Sequence, residues 1–539
     1  MFERIAIAWI IGLAWSLPVA AEHAMPGMGT EPAPAADGTP GFLTPIDYVP
    51  EALGPYSWPI TTTSAQAQAL FDQGMQLRWG YNVDDAARSM ASARRADPEC
   101  AMCWWGEAFA LGSFLNGGMS SEKAPYAHSA IMRAMALREG VTPVERALIE
   151  AAAVRYPADY DPEQRRPVDQ AFADAMARVY ADWPDHHEVA TVYAVSLFLL
   201  EPRRGTRDVE DPNVKRLHAV LTGVLDEDIR HPGACHLYIH ATESSQHPEW
   251  ALPCAEYLGT AVPIASHVQH MPSHSWNEVG AWGRSVRANI AAWHSDQKSM
   301  EQGLGFSYAP MHNLHMLLFA ASFDGQGGIA TQAGRDYRKL TGSSVFEALT
   351  LARFGRFDEV VAVTDRPDDI VEGAMWDFAQ GYARVRSGEV DAARPFLERV
   401  QGVAKANEGS FRFHEPRELI GTLAALLEGE VRWSEGDLDE AIEAFQHAVV
   451  LEDALGYDEP EPLPFAARHW LGAALLAAKR PADAEIVYRA ELADHPHNGW
   501  SLFGLRRALA EQGRVDPLVE ADFEESWARA DALLTGSRY

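Results

Sequence analysis

Imidazole is the side chain most often used to hold a transition metal near neutral pH, and this chain concentrates its imidazoles. Ten of its twenty histidines fall within residues 231–315. That stretch opens HPGACHLYIHATESSQHPEWAL, continues VPIASHVQHMPSHSW and closes PMHNLHMLLFAASFDG. His236 and His240 recur thirty-four residues later as His270 and His274. On a helix, an HxxxH pair puts both rings on one face, a turn apart. A displacement of thirty-four residues is the period of a helix–turn–helix repeat, in which equivalent positions of consecutive units stack side by side. The spacing therefore predicts a patch of histidines rather than a scatter.

The elements that must position this patch are legible elsewhere in the chain. Gly74, Ala86 and Pro98 are twelve and twelve apart, and the same spacing returns at Gly472, Ala484 and Pro496. Gly381 with Ala393, and Gly429 with Ala441, repeat its first half. Small residues let two antiparallel helices approach, and a bulky one, here Met90, Leu397, Phe445 or Tyr488, plugs the gap. This is the pattern of the tetratricopeptide (TPR) repeat. Thr142, Pro143 and Glu145 form a capping box with proline at the first helical position. No strand alternation of any length is visible. The expected fold is all-α, a TPR-like α-solenoid of antiparallel helix hairpins, elongated or C-shaped over about residues 64–535.

Setting the register by Ala251, Ala255 and Pro263 puts His236, His240 and Glu243 at positions five, nine and twelve of one repeat's first helix. His267, His270 and His274 take positions two, five and nine of the next, and His312 and His315 positions two and five of a third. In TPR folds these positions line the concave groove, so seven histidines and one glutamate should face one hollow. Pro272 interrupts the second helix. It predicts either a kink or a helix starting near Met271, with His267 and His270 on the preceding loop.

These donors exceed what one tetrahedral ion needs, so the expectation is two ions, or one ion with the remaining residues supporting its ligands. Nitrogen and carboxylate without clustered thiolate favour Zn, Cu, Ni or Fe over Mg or Ca. Met271, Met311 and Met316 would suit copper or simply fill the helix core. Three functions stay open: a metal-binding solenoid, a scaffold taking a peptide or protein partner in its groove, and a metal-dependent enzyme whose ligands leave an open position for water, with Glu243, Glu278 or another carboxylate as base. Whether there is catalysis is undetermined, and no catalytic residue is assigned. No nucleophile elbow, phosphate loop or dinucleotide fingerprint points to another enzyme class.

Composition narrows the partners. Forty-five Lys and Arg against seventy-six Asp and Glu give a net charge of −31, which repels phosphate backbones and excludes nucleic acid. The first residues read as a secretory signal, with Arg4, the apolar run IAIAWIIGLAWSLPV and small residues to Ala21. A periplasmic or secreted protein, soluble after cleavage, is expected. Cys100 and Cys103 form a lone CxxC, read as a local disulfide or packing pair. Cys235 and Cys254 could bridge the helices of one hairpin, with connectivity open. The expected organisation is a signal peptide (1–21), a flexible leader and arm (22–63), N-terminal helical repeats (64–230), histidine-rich repeats (231–330) and C-terminal repeats (331–539). In the leader, His23, Met25 and Met28 could hold copper beside a new N-terminus or form an inert tail.

The strings CAMCWWGEA, TPVERALIEA, HPGACHLYIHATESS and HVQHMPSHSWNEVG resemble those of exported bacterial TPR repeat proteins over about residues 64–325. The resemblance implies a TPR α-solenoid and carries no activity with it. SFLNGG stands where that pattern has a Pro-Asn-Ile-Asn stretch, so a pocket wall here would differ.

Overall fold

A computed structural model describes residues 38–202, 205–302 and 308–539. The signal sequence and the His23, Met25 and Met28 leader lie outside the described residues. Among the described residues the regular structure is helical, with only two isolated bridges, Phe114 to Gly117 and Phe411 to His414. No helix among them is long and apolar enough to cross a membrane.

Consecutive helices pack against each other in chain order, as a TPR-like solenoid requires. The small-residue positions show why. A Cβ on Gly74 would lie 2.6 Å from Met90, on Gly429 2.4 Å from Phe445, and on Gly472 2.3 Å from Tyr488. Only glycine admits these bulky side chains. At Gly381 the nearest atoms belong to Leu427 and Phe396, not Leu397, in a hairpin whose second helix carries Pro395 in its interior. The Thr142 and Glu145 capping box forms. The arm before the first repeat is tied down: Gln73 and Gln76 accept from the amides of Val49 and Gly54 at 2.9 and 2.8 Å, and Phe42 is buried.

The solenoid does not stay open. Its first helix, Ala65–Trp79, meets the Pro232–Thr242 helix, where a Cβ on Gly233 would lie 2.5 Å from the Trp79 ring. The C-terminal repeats likewise fold back. Trp282 and Trp500 donate their indole N–H to the carbonyls of Pro496 and Ser322, each at 2.9 Å, and Arg529 pairs with Asp324 at 2.7 Å. The apolar core divides accordingly, one cluster running from Phe42 to Met271 and another from Trp282 to Val519. The histidine-bearing helices lie at the seam. An open concave groove was expected; these closures turn it into an interior.

Candidate metal centre

Four helical segments and one loop build the centre. His236 and His240 stand on the Pro232–Thr242 helix, with Glu243 as its C-cap residue. The bond between Cys235 and Cys254 ties this helix to Leu252–Leu258, and Cys100 is bonded to Cys103. His267 and His270 lie on Ser266–His270, and His274 on Pro272–Glu278. Met271 between them keeps helical angles (φ −49°, ψ −38°). Pro272 therefore breaks the hydrogen-bond ladder without changing direction much, and His267 and His270 are helical rather than on a loop. His312 and His315 stand on Pro310–Phe323.

Seven of the eight expected residues converge. The donor atoms of His236, His240 and His267 lie within 4.8 Å of one another, as do those of His270, His274 and His312. A third group, His240, Glu243, His274 and Glu459, joins the two. All eight side chains are buried, with His240 and His270 fully so. His315 does not join them. Its Nδ1 accepts from the Arg412 guanidinium, and its ring lies 4.1 Å from that of Phe346. Helical spacing put it on the shared face; a cation from the 411–414 turn claims it instead.

Outward hydrogen bonds set the tautomers. His236 Nδ1 donates to the Trp79 carbonyl at 2.5 Å, leaving its Nε2 basic, 3.2 Å from His267 Nε2. Asn289 donates its amide N–H to the Ser285 carbonyl, so its Oδ1 accepts from His270 Nδ1 at 3.0 Å. The basic His270 Nε2 then faces His274 Nε2 at 2.8 Å and His312 Nε2 at 3.1 Å. His240 Nδ1 donates to Glu243 Oε1 at 2.8 Å. A carbonyl, an amide or a carboxylate behind His236, His270 and His240 is the arrangement that orients metal-binding histidines. Tetrahedral zinc with bonds of about 2.0–2.1 Å spaces its ligands roughly 3.3–3.4 Å apart. The nitrogens stand close to that separation. His267 Nδ1 and His312 Nδ1 have no hydrogen-bond partner among the described residues.

His274 links the groups. Its Nδ1 lies 2.7 Å from Glu243 and 2.8 Å from Glu459. Burial lowers its pKa, but the two carboxylates outweigh burial and push it up to about 10. Burial and Glu459 act to raise Glu243, yet His240 and His274 hold it below its ordinary value. The remaining rings go the other way. Burial, reinforced by neighbouring imidazoles, holds His236, His267, His270 and His312 well below 6.5, so they present lone pairs rather than charge.

Sequence reading missed Glu459. It sits in the 453–467 connection, held there because the neighbouring Asp458 pairs with Arg412 at 2.6 Å and His414 at 3.1 Å. The one signal was an acidic, proline-rich run, YDEPEPLP, too long for a repeat turn. Other histidines of the segment have structural roles. His231 caps its own helix, accepting from the Ala234 amide at 3.0 Å, and the half-buried His247 stacks on Trp250 with 4.2 Å between ring centroids.

The fold and centre define an all-α, TPR-like solenoid with a buried histidine–carboxylate cluster. No protein-family model and no curated protein matches the sequence. Among solved structures, a human IFIT1 dimer with m7Gppp-AAAA aligns at 10% identity, covering 85% of this chain and 95% of that one, with TM-score 0.30. The TPR domain of P58(IPK) aligns at 10% identity over 83% and 99%, with TM-score 0.22. The APC/C hetero-tetramer Cut9–Hcn1 aligns at 13% over 84% and 78%, with TM-score 0.29. These likenesses are loose, and the fold assignment rests on the helices and their packing.

Proposed function

We propose that this protein binds a transition metal, Zn, Cu, Ni or Fe, in the centre formed by His236, His240, Glu243, His267, His270, His274, His312 and Glu459. The convergence of basic Nε2 atoms from His270 and its neighbours carries this reading. Structural histidines turn their nitrogens to separate partners; His236 and His270 instead turn Nδ1 outward to a partner and Nε2 toward neighbouring imidazoles. A metal cation would take the place of the proton on His274 and compensate Glu243 and Glu459. The two disulfides support an exported protein working in the periplasm or outside the cell.

A repeat fold is equally suited to a peptide or protein partner, and that scaffold role is the alternative. Calorimetric titration of the full chain, untagged and chelator-treated, separates them. Each of the four metals is added at pH 7.5, to wild type and to the His270→Ala/His274→Ala variant. Sub-micromolar binding by wild type, lost in the variant, is expected. If none of the four metals binds, the scaffold reading replaces the metal one.

A further inference from the structure

A cavity of about 520 Å³ opens beside the centre, with His274 and Glu459 on its wall. It reaches solvent at Asp453 and Asp494, both exposed. One side is apolar, formed by Trp282, Phe319 and Tyr457 among others. The rest is acidic, and nearly every carboxylate there already has a partner. Asp453 pairs with Arg468 at 2.7 Å, Asp458 with Arg412, and Glu461 with His495 at 3.1 Å, while Glu452 accepts from the Ala467 amide at 2.9 Å.

Glu278 is the exception. Half-buried on the cavity wall, it makes no ion pair or hydrogen bond among the described residues. Burial pushes its carboxyl up to about 8, with Glu461 adding to the shift and His495 opposing it, so the fold supplies too little positive charge here. Next to it, Asn277 is only 7% exposed, lines the same cavity, and its Oδ1 has no hydrogen-bond partner among the described residues. A buried acceptor without a donor is costly. Asn277 Oδ1 is closed off from the cavity itself, so the acceptor that faces this apolar-walled space is the Glu278 carboxyl, which asks for a group with several N–H donors and a positive charge.

We infer that this cavity binds a small amine, its ammonium held by Glu278 and its apolar body against Trp282, Phe319 and Tyr457. The volume lies within the range of small-molecule sites, about 300–1,000 Å³. An ammonium offers three N–H donors to such acceptors, while a hydroxyl offers one donor and a carboxylate none. The inference does not depend on metal binding, because Glu278 is outside the ligand set.

The test uses phenethylamine against 2-phenylethanol and phenylacetate, which differ in charge and donors at similar size. Binding to the full chain is measured by calorimetry with and without each of the four metals, and metal content is determined separately on the same samples. Phenethylamine should bind at least tenfold tighter than either analogue, and Glu278→Gln should remove that advantage. Equal binding of the three probes, or no binding of the amine to wild type, overturns the inference without any variant. A protein that takes none of the four metals yet selects the amine refutes the metal reading and supports this one; one that takes metal but does not select the amine does the reverse.

Discussion

Two buried histidine clusters lie on either side of the cavity, and they solve burial in opposite ways. In the second, His495 directs both ring nitrogens to carboxylates, Nδ1 to Glu491 at 2.8 Å and Nε2 to Glu461 at 3.1 Å. Burial lowers its pKa, but the two carboxylates dominate and raise it well above 6.5. It is a closed ion-pair network with each nitrogen committed. In the first cluster only His274 is charged in this way, and four rings around it are held neutral. Adding a proton is what the His495 cluster is built for. The seam cluster instead gathers several lone pairs in one place, which is what the proposed cation would require.

Removing His495 should have the largest effect on stability. His495→Leu leaves Glu461 and Glu491 facing each other, and losing one partner of a buried pair costs about 3–5 kcal/mol. The lower end is expected because Glu461 is 42% exposed. Denaturant unfolding measures this, and metal stoichiometry should not change. A loss of metal with His495→Leu would erase the distinction between the clusters.

The seam cluster should respond to metal instead. With free metal a hundredfold above Kd, the folded state gains about 2.7 kcal/mol. Thermal melts at pH 7.5 should show the gain in wild type and in His495→Leu, but not in His270→Ala/His274→Ala. A subtler perturbation is Asn289→Ala, which leaves every ligand in place and removes the acceptor that fixes the His270 tautomer. Metal affinity should weaken about 10–100-fold. Unchanged affinity would mean that His270 is not a ligand.

Acidification should separate the clusters with no metal present. His236, His267, His270 and His312 have folded pKa values below 6.5, so the unfolded chain binds more protons and their contribution falls as pH drops below 6.5. His495 lies above 6.5, so its contribution is complete below that pH and fades only as pH rises through its raised value. Melts of chelated protein from pH 7.5 to 5 should therefore fall, and His495→Leu should fall less steeply, because Glu461 and Glu491, no longer held down by His495, take up protons and lose their repulsion.

Much of the helical fold was legible because small and bulky residues at repeat spacing act locally. Gly472 and Tyr488 meet within one hairpin, so the sequence interval alone predicts the contact. The ring closures were not legible. Trp500 on Ser322 depends on curvature accumulated over many helices, which no short window contains. The same limit applies to the centre. Repeat register gathered His236, His240, His270 and His274, since stacking preserves helical position. It could not foresee Arg412 drawing His315 away or Glu459 arriving from a distant loop. A groove also looks the same as an interior when only one wall is read.

The most direct test is a crystal structure of the full chain loaded with whichever of the four metals binds tightest, with anomalous scattering recorded at that metal's edge. An anomalous peak should lie among His236, His240 and His267, among His270, His274 and His312, or among His240, Glu243, His274 and Glu459, with nitrogen–metal distances of about 2.0–2.1 Å if the metal is zinc. A peak only at Glu491, Asp494 and His495, or no peak at any buried histidine, would contradict the account.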